Sequence, residues 1–447
     1  MTAISNKKVE EYVTVKEKIP LQIPKNTVFN INTQKVTTLT HGFHKYPAKY
    51  IPQIPRWAIQ KYAGESIPKL ILDPFCGSGT TLVESLVNGQ NSIGIDIDPL
   101  SVLISKVKTT KVNPTLLHKI ADWVILEIQH RKKGNFSPDC ETIEHWFTKE
   151  AIHILSIIRT VIDEVPVKFG EEKEVKDIQD LLLICFSSII RKVSNADNES
   201  QKTYVSHTKI KTPEEPTALF LKKLQLFQER IVAFSKRIND QQKSTIIHTN
   251  SSKPLTNHIA SNSIDLAITS PPYIKAIDYI YNQMAELFWI GDLFDMQTQS
   301  QQNQKKKKYI GTKHIHKPEY ASYSPLETLT DSAMLNQILH DIYTFDPKNG
   351  HKHAYLTYRY FSEMRQHFQQ MNSVLKNESH YVMVVGNSNV SSVFIDTANI
   401  LIEIAEKEGF QLVNLWGYKI KNRYMRFDRK GRGGIIKMDW VMDFVKG

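Results

Sequence analysis

The sequence predicts an α/β chain built on a mostly parallel sheet, ended by a C-terminal antiparallel hairpin and interrupted by a helical insertion. Three observations predict it. Leu70-Ile71-Leu72-Asp73 is a short apolar run that enters a glycine turn and gives way to an amphipathic pattern beginning near Thr80. Ser92-Ile93-Gly94-Ile95-Asp96 has the character of a second strand, ending in a carboxylate seventeen residues after Gly79. Ser263-Ile264-Asp265-Leu266-Ala267-Ile268-Thr269 is a third such run, stopped abruptly by Ser270-Pro271-Pro272. Strands alternating with helices in this way pack as a largely parallel sheet covered on its faces.

In chain order, residues 1–40 are polar with scattered β-branched positions, suiting an arm or an edge strand. His41 to Pro52 is rich in aromatics and prolines, and a helix follows through Trp57 and Tyr62. After the second strand, Pro99-Leu100 opens a helix running to about Lys108. From Asn113 to Lys243 the periodicity is helical. Leu117, Ile120, Val124 and Ile128 make one apolar stripe, and Ala151, Ile154, Ile158 and Val161 another. A third helix around Leu181–Val193 stops at Ser194-Asn195-Ala196-Asp197-Asn198, and a fourth covers Leu219 to Ile238. The stripes fit helix packing; Arg191, Lys192 and Ser194 are candidates for a nucleic-acid contact.

Strand character resumes at Ser244–Asn250, and a helix is expected from Asp278 to Gly291. Residues 296–320 are low in complexity, with a Gln-rich run, then Lys305–Lys308, then His314 and His316. A solvated loop and a phosphate-contacting loop are both open for that run. The histidines lack ligand spacing, so no metal is expected. Helix follows from about Leu326 to Leu375, broken at Pro347–Gly350, then strand His380–Ser388, helix Ile395–Glu408 and strand Phe410–Tyr418. A basic, glycine-rich tip, containing Arg426, Lys430 and Arg432, leads into a final strand at Met438–Val445. That tip is the candidate for contact with backbone phosphates.

At 447 residues the chain has room for roughly two to three domains. We expect an N-terminal arm and cofactor-binding half at 1–112, the helical insertion at 113–243, and a second half at 244–447 carrying the basic loop 291–325. An apolar fraction of 41% and a net charge of +11 describe a water-soluble chain suited to a polyanionic partner. The longest apolar run, Leu181–Phe186, is far too short to cross a bilayer, so no membrane partner is expected. Cysteines 76, 140 and 185 neither pair nor show metal spacing, which fits a reducing compartment.

Two stretches carry chemistry. Gly77 and Gly79 let a ligand approach the backbone just before a helix N-terminus, and Asp96 can accept from ribose hydroxyls. Leu82 stands where the third glycine of a dinucleotide fingerprint would be, which disfavours a nicotinamide enzyme. Ser270-Pro271-Pro272-Tyr273 is a rigid turn whose prolines lack N–H groups and leave carbonyls free to accept. With Tyr273 offering an aromatic face, it suits a planar base bearing an exocyclic amine.

Together, Asp73-Pro74-Phe75-Cys76-Gly77-Ser78-Gly79-Thr80-Thr81 and Thr269-Ser270-Pro271-Pro272-Tyr273 resemble the DNA amino-methyltransferases that use S-adenosylmethionine. The resemblance covers about 41–112 and 244–447 and implies a Rossmann-like class I methyltransferase fold. It implies that Asp73, Phe75, Gly77, Gly79, Thr80, Thr81 and Asp96 hold the cofactor, with Tyr46, Pro47 and Lys49 covering its methionine end. Asn250 stands where the family has an acid that accepts from the cofactor's adenine amine. Ser270, Pro271, Pro272 and Tyr273 would be catalytic, with Asp278, Tyr279 and Asn387 around the base.

The serine form of the second motif is the one usual in cytosine-N4 enzymes, so N4 methylation of cytosine in double-stranded DNA is the implied reaction. Adenine-N6 methylation is the rival. A non-catalytic DNA-binding protein of the same fold, and RNA or protein methylation, are more distant. A cytosine-C5 enzyme is excluded because no cysteine follows a proline. The resemblance further implies the prokaryotic cytoplasm and a restriction-modification system; a monomer suffices for the reaction, while the oligomeric state and a companion restriction endonuclease are left open by the sequence. Target recognition falls to 113–243, to 291–325, or to both.

Overall fold

The computed structural model describes residues 13–15, 18–32, 36–47, 49–64, 69–198, 200, 202–274, 278–420 and 437–447. Its strands are β1 (Val13–Val15), β2 (Val28–Ile31), β3 (Leu70–Asp73), β4 (Asn91–Asp96), β5 (Ser244–His248) and β6 (Ile264–Thr269). They continue with β7 (Leu375–Gly386), β8 (Ser388–Val390), β9 (Val393–Ile395), β10 (Phe410–Lys419) and β11 (Met438–Lys446). Nine form one sheet in the order β1-β2-β10-β11-β7-β6-β3-β4-β5, and β8 with β9 makes a separate ribbon. In the large sheet every pairing is parallel except those of β11, which runs antiparallel to both β10 and β7. The fold is thus Rossmann-like, with the expected closing hairpin in β10 and β11.

Alternation along the central strands sends side chains to two layers. Ile71, Leu266, Ile268, Val382, Val384 and Val441 pack with Ile54 and Trp57 of the helix Gln53–Tyr62. Leu72, Ala267, Tyr381, Met383, Val385 and Met442 face the opposite layer, which includes Phe361, Met364 and Phe368 of the helix Gly350–Val374. Period-two strands buried on both faces explain why these runs are almost continuously apolar.

Between β4 and β5 lie the long helices Pro114–His130, Lys149–Asp163, Lys173–Val193 and Pro216–Ser235. The stripe Leu117, Ile120, Val124 and Ile128 is buried in one apolar cluster that also takes in Val83, Leu86, Leu100, Ile104 and Val107. The inserted helices therefore share their core with the helices that flank the sheet. Arg159, 2% exposed, binds this unit to the segment after the proline turn. It grips Asp292 through two bonds of 2.9 and 2.6 Å and also reaches the carbonyl of Trp289. Arg191, a candidate for nucleic-acid contact, is instead committed inside the chain, donating to the carbonyls of Asp197, Ser200 and Lys202 and to Thr203.

Other boundaries move for local reasons. The Gln-rich run forms the helix Gln299–Lys306 because Thr298 and Gln301 make a capping box at its start. The helix expected from Asp278 to Gly291 is two shorter ones, Tyr279–Asn282 and Met284–Ile290. The helix expected from Leu326 begins only at Ala333, where Ser332 caps it. Arg426, Lys430 and Arg432 lie outside the described residues. No described helix is long and apolar enough to cross a membrane.

Candidate active site

Chain order reverses at β3, with β4 and β5 on one side and β6 on the other, and open α/β sheets bind ligands at the carboxyl ends of such strands. A cavity of about 720 Å³ opens there. The turn after β3 contributes Pro74, Phe75, Cys76, Gly77 and Ser78 and the helix start Thr80; the end of β4 and the turn after it contribute Asp96 and Asp98; the segment after β5 contributes Thr249, Asn250 and Ser251. The turn after β6 contributes Ser270 and Pro272. Tyr46 and Lys49 line it from the upstream loop and Tyr279 from beyond the proline turn. The two motifs singled out in the sequence thus share one cavity.

The glycine turn is fixed from several sides. Gly77 and Gly79 have φ of +47° and +72°, the left-handed region that glycine adopts cheaply. Gly77 N donates to Asp96 Oδ2 at 2.8 Å, and Asp98 N donates to Asp96 Oδ1 at 2.9 Å. From below, Ser105 donates to the Gly77 carbonyl at 2.8 Å and the buried Lys108 donates to that of Ser78. A Cβ at Gly77 would stand 2.9 Å from Cε1 of Tyr46. Gly77→Ala should therefore strain the backbone by ~1–2 kcal/mol and push Tyr46 out of place. We expect binding of the cofactor implied by the resemblance to weaken on the order of tenfold, by calorimetry, with the melting temperature little changed.

Tyr46 stacks beside Tyr279, ring centres 5.8 Å apart, and accepts from Ser101 at 2.9 Å. Lys49 donates to the His41 carbonyl at 2.8 Å, and burial pulls its ammonium down to about 8. Burial pushes Asp96 up to about 7, aided by the charge of Asp98 and opposed by the two backbone donors. Asp98 caps the helix Pro99–Thr109 and accepts from Gln283 at 2.8 Å.

Several expected residues lie elsewhere. Asp73 is fully buried beneath the cavity, accepting from Thr81 at 2.5 Å and Thr269 at 2.6 Å, so it pins β3 to β6. Burial raises its carboxyl to about 6. Thr81 is buried with it, Gly79 sits behind the turn, and Pro47 and Pro271 do not line the cavity. Asn250 does line it, but its oxygen already accepts from the N–H and the hydroxyl of Ser252, both at 2.9 Å. The acceptor expected for an adenine amine is thus used within the chain. Asn387 accepts from Ala398 N at 3.2 Å at the start of the helix Thr397–Lys407, away from the cavity.

Tyr273 is half-buried and stands outside the lining, its hydroxyl donating to Asp439 of β11 at 2.8 Å. Asp278 accepts from His314 at 2.6 Å beside a second, smaller cavity. Sequence reasoning missed Tyr309 and Ile310, which line the main cavity from the basic loop, as well as Asp98 and Asp439. Two of these left a signal: Asp98 precedes a helix-opening proline, and Asp439 is an acid inside an apolar strand.

A family model described as DNA methylase matches residues 4–106. The Type II methyltransferase M.MvaI of Kocuria varians is 29% identical over 418 residues, covering 89% of this chain and 87% of that one. The Type II methyltransferase M.BsoBI of Geobacillus stearothermophilus is 23% identical over 438 residues, covering 89% and 84%. The Type II methyltransferase M.MjaII of Methanocaldococcus jannaschii is 39% identical over 105 residues, 23% of this chain and 19% of that one.

Proposed function

The chain belongs to the N4/N6 amino-methyltransferase family of DNA, and from that premise we propose that it methylates the exocyclic N4 amine of cytosine in double-stranded DNA. The observation that carries this reading is that Ser270, at the end of β6, opens into the same cavity as Gly77 and Asp96. The near full-length similarity to two Type II methyltransferases supports action on DNA within a restriction-modification system.

The donor set fits S-adenosylmethionine. Asp96 supplies a carboxylate for ribose hydroxyls, Tyr46 and Phe75 supply apolar walls, and the space at Gly77 is one that a Cβ would fill. When bound, the cofactor supplies an electrophilic methyl on a positively charged sulfur. The chain's part is to aim the nucleophile. The Ser270 hydroxyl and the Ser270 carbonyl accept from the two N–H bonds of the amine, turning its lone pair out of the ring plane. Alignment of this kind contributes up to ~7–11 kcal/mol. Tyr279, Tyr309 and Ile310 would keep water out of the cavity, which would favour a transfer that neutralises the cofactor's positive charge. The nitrogen gives up one proton to solvent afterwards, and the oxygens around it are weak bases, so positioning outweighs base catalysis. The target base must leave the duplex to reach Ser270, at a cost of a few kcal/mol.

The test is nucleoside mass spectrometry on DNA incubated with the protein and isotope-labelled S-adenosylmethionine. Label in N4-methylcytosine is the expected result. Label in N6-methyladenine would overturn the choice of base, and absence of label on DNA would overturn the reading as a whole.

A further inference from the structure

A second cavity, of about 340 Å³, adjoins the first and shares Tyr279, Tyr309 and Ile310 with it. It is lined by Lys306, Lys313 and His314, with Asp278 among them. Lys306 is 9% exposed, yet among the described residues its ammonium has no hydrogen-bond partner. It lies 5.8 Å from the ring centre of Tyr281. The stem of Lys306 is packed away from solvent while its ammonium, without a partner among the described residues, faces the cavity. Asp278 is already engaged, taking His314 at 2.6 Å, Lys313 at 3.6 Å and the Tyr281 N–H at 3.0 Å. Burial works to raise its carboxyl, but the bonds from His314 and Tyr281 and the charge of Lys306 hold it at about 2. One carboxylate among two lysines leaves a positive charge unbalanced.

We propose that this second cavity is a phosphodiester site, in which Lys306 and Lys313 hold a backbone phosphate flanking the nucleotide whose base enters the first cavity. The proposal rests on the reading of the chain as a DNA methyltransferase and adds to it the place where the strand is gripped. A monoanionic phosphodiester supplies the missing negative charge, and its oxygens accept from both ammonium groups. The shared wall of Tyr279, Tyr309 and Ile310 puts the two cavities side by side, as a base and its own backbone require. Gly311 sets the spacing. With φ of +76° it passes close to Tyr273, where a Cβ would stand 3.1 Å from the Tyr273 carbonyl, and it carries Thr312 and Lys313 over the proline turn.

The experiment compares the wild type with K306Q, K306R and K313Q. DNA affinity is measured across a potassium chloride series by fluorescence anisotropy, S-adenosylmethionine affinity by calorimetry, and methyl transfer with labelled cofactor. K306Q should bind DNA about tenfold more weakly at low salt, with the slope of log Kd against log salt shallower by about 0.9, the share of one phosphate. K306R should restore both, and cofactor affinity should not move. K313Q, changed at an exposed position, should shift the slope in the same direction and guards against a folding defect at Lys306. An unchanged salt slope in both glutamine variants overturns the site, as does a loss confined to cofactor affinity. If the wild type transferred no methyl to DNA, the proposed function would fall, and the site with it. A wild type that methylates DNA, beside variants of unaltered slope, would sink only the phosphate site.

Discussion

Tyr273→Ala is expected to lower kcat/KM on DNA by roughly tenfold to a hundredfold, while Tyr273→Phe loses only a few-fold. Tyr273 follows Pro272 of the cavity wall without itself lining the cavity; if the base reaches its ring, alanine removes a stacking contact worth ~1–3 kcal/mol. It also strips Asp439, a buried acid on β11, of the hydroxyl that donates to it at 2.8 Å. Phenylalanine keeps the ring and loses only that bond, so the pair separates stacking from anchoring. Steady-state rates on a fixed duplex measure both. Equal losses in the two variants would assign the effect to the Asp439 bond and remove the stacking role; no loss in either would exclude Tyr273 from the reaction.

What the sequence made legible is what is encoded locally. Leu70–Asp73, the turn through Gly79 and the helix from Thr80 are each written within a dozen residues, since a strand, two left-handed glycines and a helix start have their own residue signatures. β10 and β11 were equally legible, because alternation in an apolar strand is a local pattern. What stayed hidden depends on contacts between distant residues. Nothing in the run Lys305–Lys308 announces that Tyr309 and Ile310 will line the cavity, because the loop is held there partly by a bond from Asn250 to the Lys308 carbonyl. The same applies to Asp73, whose motif position implied the cofactor but whose oxygens are taken by Thr81 and Thr269. Sequence names the polar residue; the fold decides its partners.

Asp96→Asn should weaken S-adenosylmethionine binding on the order of a hundredfold and abolish its pH dependence between 6 and 8. Both carboxylate oxygens accept backbone N–H groups, from Gly77 at 2.8 Å and Asp98 at 2.9 Å. An amide offers one acceptor, so its NH2 must oppose one of those donors, and a hydrogen bond to a charged group is worth ~1.5–3 kcal/mol. In the wild type, burial first and then the neighbouring Asp98 push Asp96 up to about 7. Ribose hydroxyls donate best to the ionised form, so the protein's affinity should rise as pH climbs from 6 to 8 and as Asp96 sheds its proton. Above 8 the gain should reverse as Lys49, pulled down to about 8 by burial, loses its charge. Stability of the ligand-free protein should move the opposite way. Asp73 and Asp96 are raised from 3.8 to about 6 and about 7, so the folded state binds more protons than the unfolded. Their contribution is full below about pH 4 and is lost as pH rises through 6 and 7. Calorimetric affinities and melting temperatures across this range measure both trends. A wild-type affinity flat from pH 6 to 8, or an asparagine variant that binds as tightly, would show that Asp96 does not meet the cofactor.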